Sequence, residues 1–302
     1  MGQNSAIEWT DHTFNPWWGC TKISPACAHC YAEPGAKRFG VGWGDKAPRR
    51  FFDAAHWKEP ERWNVKAARE GKPAFVFCAS YADVCELLPR DHPHRDQMQA
   101  ERYRLRALIL RTPWLRWLLL TKRPENFELL LRGNWPANAW AGVTAENQQA
   151  ADLRLPILKS IDAPRRFVSY DPALGPVDFT PYLRDRDGID WLIAGGESGR
   201  NARPMHPAWA RAARDQAEAT GADFFFKQWG EYAPDETLPR LKQGESRAFQ
   251  FVPIDGGQGI FHDNGRFTGR SPQQTDAIMS HVGKKYAGRL LDGREWNERP
   301  EF

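Results

Sequence analysis

What this chain lacks sets the first limits. Nowhere in its 302 residues is there a run approaching the ~20 apolar residues that cross a bilayer, and the start, MGQNSAIEWTDHTF, has no basic segment leading into an apolar one. Ala6 breaks the myristoylation pattern as well. A cytoplasmic protein with no membrane attachment is the expectation. Charge of one sign is also missing: 42 Lys and Arg against 38 Asp and Glu leave a net +4, which permits a polyanionic partner without demanding one. Neither a GxGxxG nor a P-loop spacing occurs, so a Rossmann or Walker phosphate cradle is not expected. Internal repeats and low-complexity segments are absent. Cysteine is scarce and odd in number, five in all, which argues against a disulfide framework and for reduced thiols with a metal or redox role.

Aromatics are abundant, with 14 Trp and 17 Phe, and most of them must fill a core or line a pocket. Between residues 75 and 228 short apolar runs recur, each followed at once by a polar or glycine-bearing stretch: FVFCASYADVCE, WLLLTKRPEN, WAGVTAENQ, RFVSYDPALGP, WLIAGGESGRNARP and FFFKQWGEY. Runs apolar on both faces and separated by helix-sized segments predict buried parallel strands. Helices are expected at about 95 to 111, 147 to 160, and over PAWARAARDQAEATGA. The last has Pro207 near its start, one face of Trp209, Ala212, Ala213, Gln216 and Ala217, and Gly221 at its stop. With a short first strand near AIEWTDH, the pattern predicts an α/β fold, a full or partial (β/α) TIM-like barrel of roughly seven strands. An open doubly wound sheet is the alternative. Residues 1–232 are expected to form the barrel and 233–302 a C-terminal extension, with a hairpin around Asp263, Asn264 and Gly265 and then a basic segment.

Three of the five cysteines lie in one stretch, WWGCTKISPACAHCYAE: Cys20, Cys27 and Cys30. Thiolates suit zinc or iron-sulfur clusters, and a CxxC pair with a third cysteine supplies three corners of either. Structural zinc needs a fourth protein ligand, for which His12, His29, His206, Cys78 and Cys85 are available. A 4Fe-4S cluster held by three cysteines leaves one iron free for a small molecule such as S-adenosylmethionine, whose reductive cleavage starts radical chemistry.

GCTKISPACAHCYAE, together with SYDPALGPVDF, GGESGRNARPMHP, FFFKQWGEY and GRLLDGREW, closely resembles an uncharacterised phage-associated three-cysteine protein family, over nearly the whole chain. That family's cysteine loop is similar to that of the radical S-adenosylmethionine (radical SAM) superfamily. The resemblance implies a partial barrel, a cluster loop after the first strand, and a cofactor across the strands' C-terminal ends. The superfamily's commonest loop has three residues between its first two cysteines and an aromatic before the third, whereas here there are six and His29.

Polar residues collect after the apolar runs, where a barrel's site-building loops lie. Ser80, Asp83, Glu146 and Asn147 suit the amine and ribose of S-adenosylmethionine. Lys122 and Lys227, with Arg123, suit its carboxylate or a substrate phosphate. Gly195 and Gly196 permit close backbone approach and Glu197 can accept from an ammonium or hydroxyl. Helix caps, turns and salt bridges account for the same residues singly. The expectation is a radical SAM-like enzyme acting on a nucleic acid or nucleotide with an external electron donor; the alternative is a zinc-stabilised nucleic-acid-binding or phage accessory protein without catalysis.

Overall fold

A computed structural model describes residues 5–130, 133–183, 188–240, 247–257, 260–263, 266–268 and 271–301. The apolar runs become seven strands: β1 (His12–Thr13), β2 (Ala74–Cys78), β3 (Leu115–Thr121), β4 (Ala139–Thr144), β5 (Arg166–Tyr170), β6 (Trp191–Gly195) and β7 (Asp223–Gln228). They form one parallel sheet in the order β1 to β7. Val76 pairs beside Trp117, Trp117 beside Ala139, and Ile193 beside Phe225. An order that never reverses has no topological switch point, so the doubly wound alternative falls. The first and last strands do not pair among the described residues, and the fold is a partial (β/α) barrel. Full burial of every residue of β4 and β6 is why those runs are apolar on both faces.

The first strand is shorter and later than AIEWTDH implies. Asp11 Oδ2 accepts the Phe75 N–H at 2.8 Å, taking a donor that a ladder carbonyl would otherwise take, and residues 5 to 11 fold into turns instead. The helices that position the site are α1 (Ala32–Lys37), α2 (Glu59–Glu70), α3 (Arg95–Arg111), α4 (Gln148–Ser160) and α5 (Pro207–Thr220). On α5 the buried face is Trp209, Ala210, Ala213 and Ala217, with Gly221 as the left-handed C-cap. Ala212, expected on that face, is exposed. At 100° per residue it lies well round the helix from the stripe that Trp209, Ala213 and Ala217 define.

The chain divides into two compact units, Met1–Thr144 with Arg154–Phe167, and Ala145–Leu153 with Val168–Phe302. Within the first, Gly142 of β4 leaves room for a ring on β5: a Cβ there would fall 2.1 Å from Phe167 Cζ. Within the second, the outer edge of β7 is covered by the chain's own C-terminal segment. Phe226 N donates to Trp296 O at 3.0 Å and Glu298 N to Phe224 O at 3.2 Å, so that edge offers no free template for another strand.

The second unit also contains a five-stranded antiparallel sheet. Its strands are β8 (Tyr232–Pro234), β9 (Phe249–Val252), β10 (Ile260–Asp263), β11 (Arg266–Thr268) and β12 (Ala277–His281), in the order β8-β12-β9-β10-β11. The expected hairpin appears as β10 against β11, with Asp263 opposite Arg266; its turn residues Asn264 and Gly265 lie outside the described residues. No helix among the described residues is long and apolar enough to cross a membrane.

Candidate metal centre

The cysteine loop begins directly beyond β1 and is held by residues that the spacing alone did not single out. Fully buried Asn15 donates from Nδ2 to Ser80 Oγ at 3.0 Å and accepts the Tyr81 N–H at 2.7 Å, tying the end of β1 to the loop after β2. Trp17–Trp18 then pairs with Arg50–Phe51 in a two-stranded ribbon, which delivers the chain to Cys20. Cys27 ends a 3-10 turn over Pro25–Cys27, and Cys30 stands just before α1. Lys22 closes the loop from outside, bonding Glu33 at 2.6 Å and the Ala28 carbonyl at 3.3 Å.

Arg49 is the centre of this scaffold. Its side chain is wholly buried, and all five guanidinium donors are spent. Nε and Nη2 grip Glu86 at 3.0 and 2.8 Å, Nη1 reaches the Gly44 and Ala47 carbonyls at 2.9 and 2.6 Å, and Nη2 also donates to Thr21 Oγ1 at 3.1 Å. Thr21 is the neighbour of Cys20, so one side chain joins the cysteine loop, the 44–47 loop and the segment after β2.

A second buried pair lies at the end of β3. Asp83 receives four donors from this chain: the Thr121 hydroxyl at 2.6 Å, the Cys85 N–H at 2.9 Å, the Lys122 N–H at 3.2 Å and Arg123 Nη1 at 2.7 Å. Burial opposes the Asp83 carboxylate, but the Arg123 charge and these hydrogen bonds outweigh it and hold the group below its ordinary range. Arg123 in turn donates from Nη2 to Thr21 O at 2.7 Å and brings Nη1 to 4.0 Å from Cys20 Sγ. Asp83, a candidate for the cofactor's amine, fixes a cation beside the first thiol.

The three thiols lie within electrostatic reach of one another, since the charge of Cys27 acts on both Cys20 and Cys30. Their environments differ. Burial pushes Cys20 up, Glu86 and Asp83 add to that, and Arg123 opposes it. Burial also raises Cys30, against Lys122 and the backbone of Ala32 and Glu33. For Cys27 burial is outweighed by Lys122 and by hydrogen bonds from Ile23 and Ser24, and the thiol sits below its ordinary range. Lys122, which makes no ion pair among the described residues, thus favours the thiolate form of two of the thiols. Among the described residues no three of His, Cys, Asp and Glu are spaced to close round a single metal ion, a spacing that a cubane held at its corners does not require. Three soft donors with two cations and backbone N–H groups beside them fit a negatively charged iron-sulfur cluster. Cys78 and Cys85 are wholly buried and raised by that burial, as core thiols are.

The remaining candidates belong to the second unit. Glu146 is fully buried and its carbonyl accepts the Leu174 N–H at 2.8 Å. Asn147 caps α4, its Oδ1 accepting from Ala150 N at 2.9 Å. Gly195 lies against Asp171, which forms an ion pair with Lys227 at 2.5 Å. Gly196 must be glycine, since a Cβ would fall 2.0 Å from the Trp229 carbonyl oxygen. Glu197 is gripped by Arg203 through Nε at 2.8 Å, Nη2 at 2.5 Å and the backbone N–H at 2.8 Å. His206, weighed above as a metal ligand, caps α5: Nδ1 accepts from Ala208 N at 3.0 Å, and Nε2 lies 3.1 Å from Thr275 O, which it reaches as a donor. The first unit therefore gathers Ser80, Asp83 and Lys122 about the cysteine loop. The second gathers Gly195, Gly196, Glu197 and Lys227 at the ends of β6 and β7.

Among solved structures, spore photoproduct lyase mutants align with the chain. A single mutant overlaps with a TM-score of 0.41 at 9% identity, covering 93% of this chain and 71% of that one. A double mutant with bound AdoMet and dinucleoside spore photoproduct gives 0.41 at 10%, covering 95% and 72%. A further single mutant gives 0.42 at 11%, with the same coverage of 95% and 72%. Overlaps this low do not speak to activity. No curated protein matches the chain. A family model, described as a protein of unknown function (DUF5131), matches residues 4–300, and the chain belongs to that family.

Proposed function

We propose that Cys20, Cys27 and Cys30 hold a 4Fe-4S cluster with one iron left open, and that the protein is a radical SAM enzyme. The observation that carries this reading is the composition of one loop: three thiols beyond β1, with Arg123 4.0 Å from the first and the charge of Lys122 acting on the other two. When bound, the cluster supplies the electron that cleaves S-adenosylmethionine and so starts hydrogen abstraction from an unactivated carbon. The chain's own residues do the rest. Arg123 and Lys122 offset the charge of three thiolates. Asp83 holds Arg123 in place, and Arg49 fixes Thr21 next to Cys20. Ser80, Glu146, Asn147, Gly195, Gly196, Glu197 and Lys227 are the polar groups beyond the strand ends that we assign to S-adenosylmethionine and substrate. The substrate class we assign is a nucleic acid or nucleotide.

Anaerobic reconstitution with iron and sulfide tests the reading. The expected product is a brown protein with about four irons per chain that releases 5′-deoxyadenosine from S-adenosylmethionine on reduction, with both properties lost in Cys27→Ala. One tightly held zinc per chain, with no visible absorption and no cleavage, would leave the zinc-stabilised accessory protein in its place.

A further inference from the structure

The cysteine loop has a second feature that the metal does not use. Large aromatics in this chain are mostly buried, yet Phe39 is 63% exposed and Tyr31 47% exposed, on the two flanks of α1. They are the outer ends of one line of rings. Tyr31 meets Tyr81 edge-on at 6.4 Å, Tyr81 stacks on Trp18 at 5.0 Å with 26° between planes, and Trp18 meets Phe39 at 5.3 Å. Arg50, opposite Trp18 in the ribbon, places its guanidinium 5.1 Å from the Trp18 ring. Arg38, next to Phe39, and Arg50 are both exposed, and neither has a carboxylate partner among the described residues. The acidic side chain on α1, Glu33, is already taken by Lys22 and Lys37.

We infer that this surface is a docking platform for single-stranded nucleic acid, the substrate-bearing strand of the proposed reaction. Exposed rings backed by a rigid aromatic stack offer faces on which unpaired bases lie, and every base has such a face. Guanidinium groups without a carboxylate partner, Arg50 at 5.1 Å from the Trp18 ring and Arg38 next to Phe39 in the chain, supply the counter-charge for the phosphates between those bases. A duplex presents its bases to one another and has no free face for Phe39 or Tyr31, so a single strand fits and a double strand does not. A protein partner with acidic side chains would use the arginines but leave the rings' preference for flat partners unexplained. The inference rests on the proposed function for the word substrate only. The platform itself needs neither cluster nor S-adenosylmethionine to bind.

Fluorescence anisotropy of the full reconstituted chain with a labelled 15-nucleotide poly-dT strand tests it. The strand binds more tightly than the matching duplex, Phe39→Ala weakens it roughly tenfold, and Phe39→Trp restores it. Arg38→Gln and Arg50→Gln each reduce the slope of log K against log salt by roughly one. Phe39 and Arg38 are exposed, so these changes leave the fold intact, which the unfolding midpoint checks. Strand binding unchanged in Phe39→Ala, equal binding of duplex, or no binding at all overturns the inference. Anisotropy reads binding and not turnover, so the two readings fail separately: a chain that binds the strand but takes no cluster refutes the enzyme alone, and one that takes the cluster but ignores the strand refutes the platform alone.

Discussion

Arg49 and Glu86 are both shut away from water, with side chains 0% and 1% exposed. Two buried charges are costly unless each is fully paired, and here the guanidinium has no donor to spare. Removing one partner leaves the other charge stranded. Arg49→Met should therefore cost about 3–5 kcal/mol in urea unfolding, with the paired change Arg49→Met/Glu86→Leu recovering much of it. A loss under about 1 kcal/mol, the range of exposed pairs, would mean that the pair does not hold the cysteine loop. Nothing in the sequence marks these two residues, which stand far apart in the chain without periodic or motif context. Cysteines with a fixed spacing are visible in sequence because their chemistry is rare. The arginine that braces them is one among many, and only the fold selects it. The same holds for Asp83 and Glu197. Their position after a strand is readable, but not the arginine each has already bound.

At the scale of elements, the parallel strands and α5 were readable for a physical reason: a strand buried on both faces is apolar throughout, and a helix packed on one face repeats every three to four residues. Of the antiparallel sheet only the hairpin of β10 and β11 was readable, from its turn residues; the other strands gave no such signal. The sheet's described strands are three to five residues long, and β9 alternates between half-buried and buried, too brief a pattern to stand out from loop sequence. The start of α5 carries a prediction of its own. Burial holds the His206 imidazolium below its ordinary range, and its neutral ring is what accepts the Ala208 N–H. A group depressed in the folded state contributes stability that is present above the unfolded pKa of about 6.5. That contribution is lost as pH falls through the lower folded value. Urea midpoints of the wild type should drop between pH 7.5 and 5.5, and His206→Asn, which keeps a capping side chain, should flatten that drop. Equal slopes in the two proteins would show that the cap does not titrate.

At the scale of the molecule, a net charge of +4 says little, because what matters is where charge is left unpaired. Buried Arg49 and Arg123 in the first unit are answered by Glu86 and Asp83, whereas Arg38 and Arg50 have no such answer among the described residues. Counting residues cannot separate these two kinds of arginine. The barrel class followed from strand spacing, and the candidate cysteine loop from three letters in a row of seventeen. The division of the polar loop residues between two compact units depended on contacts that only folding brings about.

The saturation of Arg49 has a consequence for how the protein would take up the proposed cluster. Small zinc domains are unfolded until the ion arrives, because the ion is their core. Here the loop is anchored by Glu86, by Asn15 and by the Gly44 and Ala47 carbonyls, none of which needs iron. The socket exists before its contents. A chain stripped by chelator should keep the near-ultraviolet circular dichroism of its 14 tryptophans and regain full occupancy on adding iron and sulfide, without a refolding step. Collapse of that spectrum on chelation would show instead that the cluster builds its own site. If the spectrum persists and occupancy returns, oxidative loss of the proposed cluster would be a reversible pause in the life of the molecule, not its end.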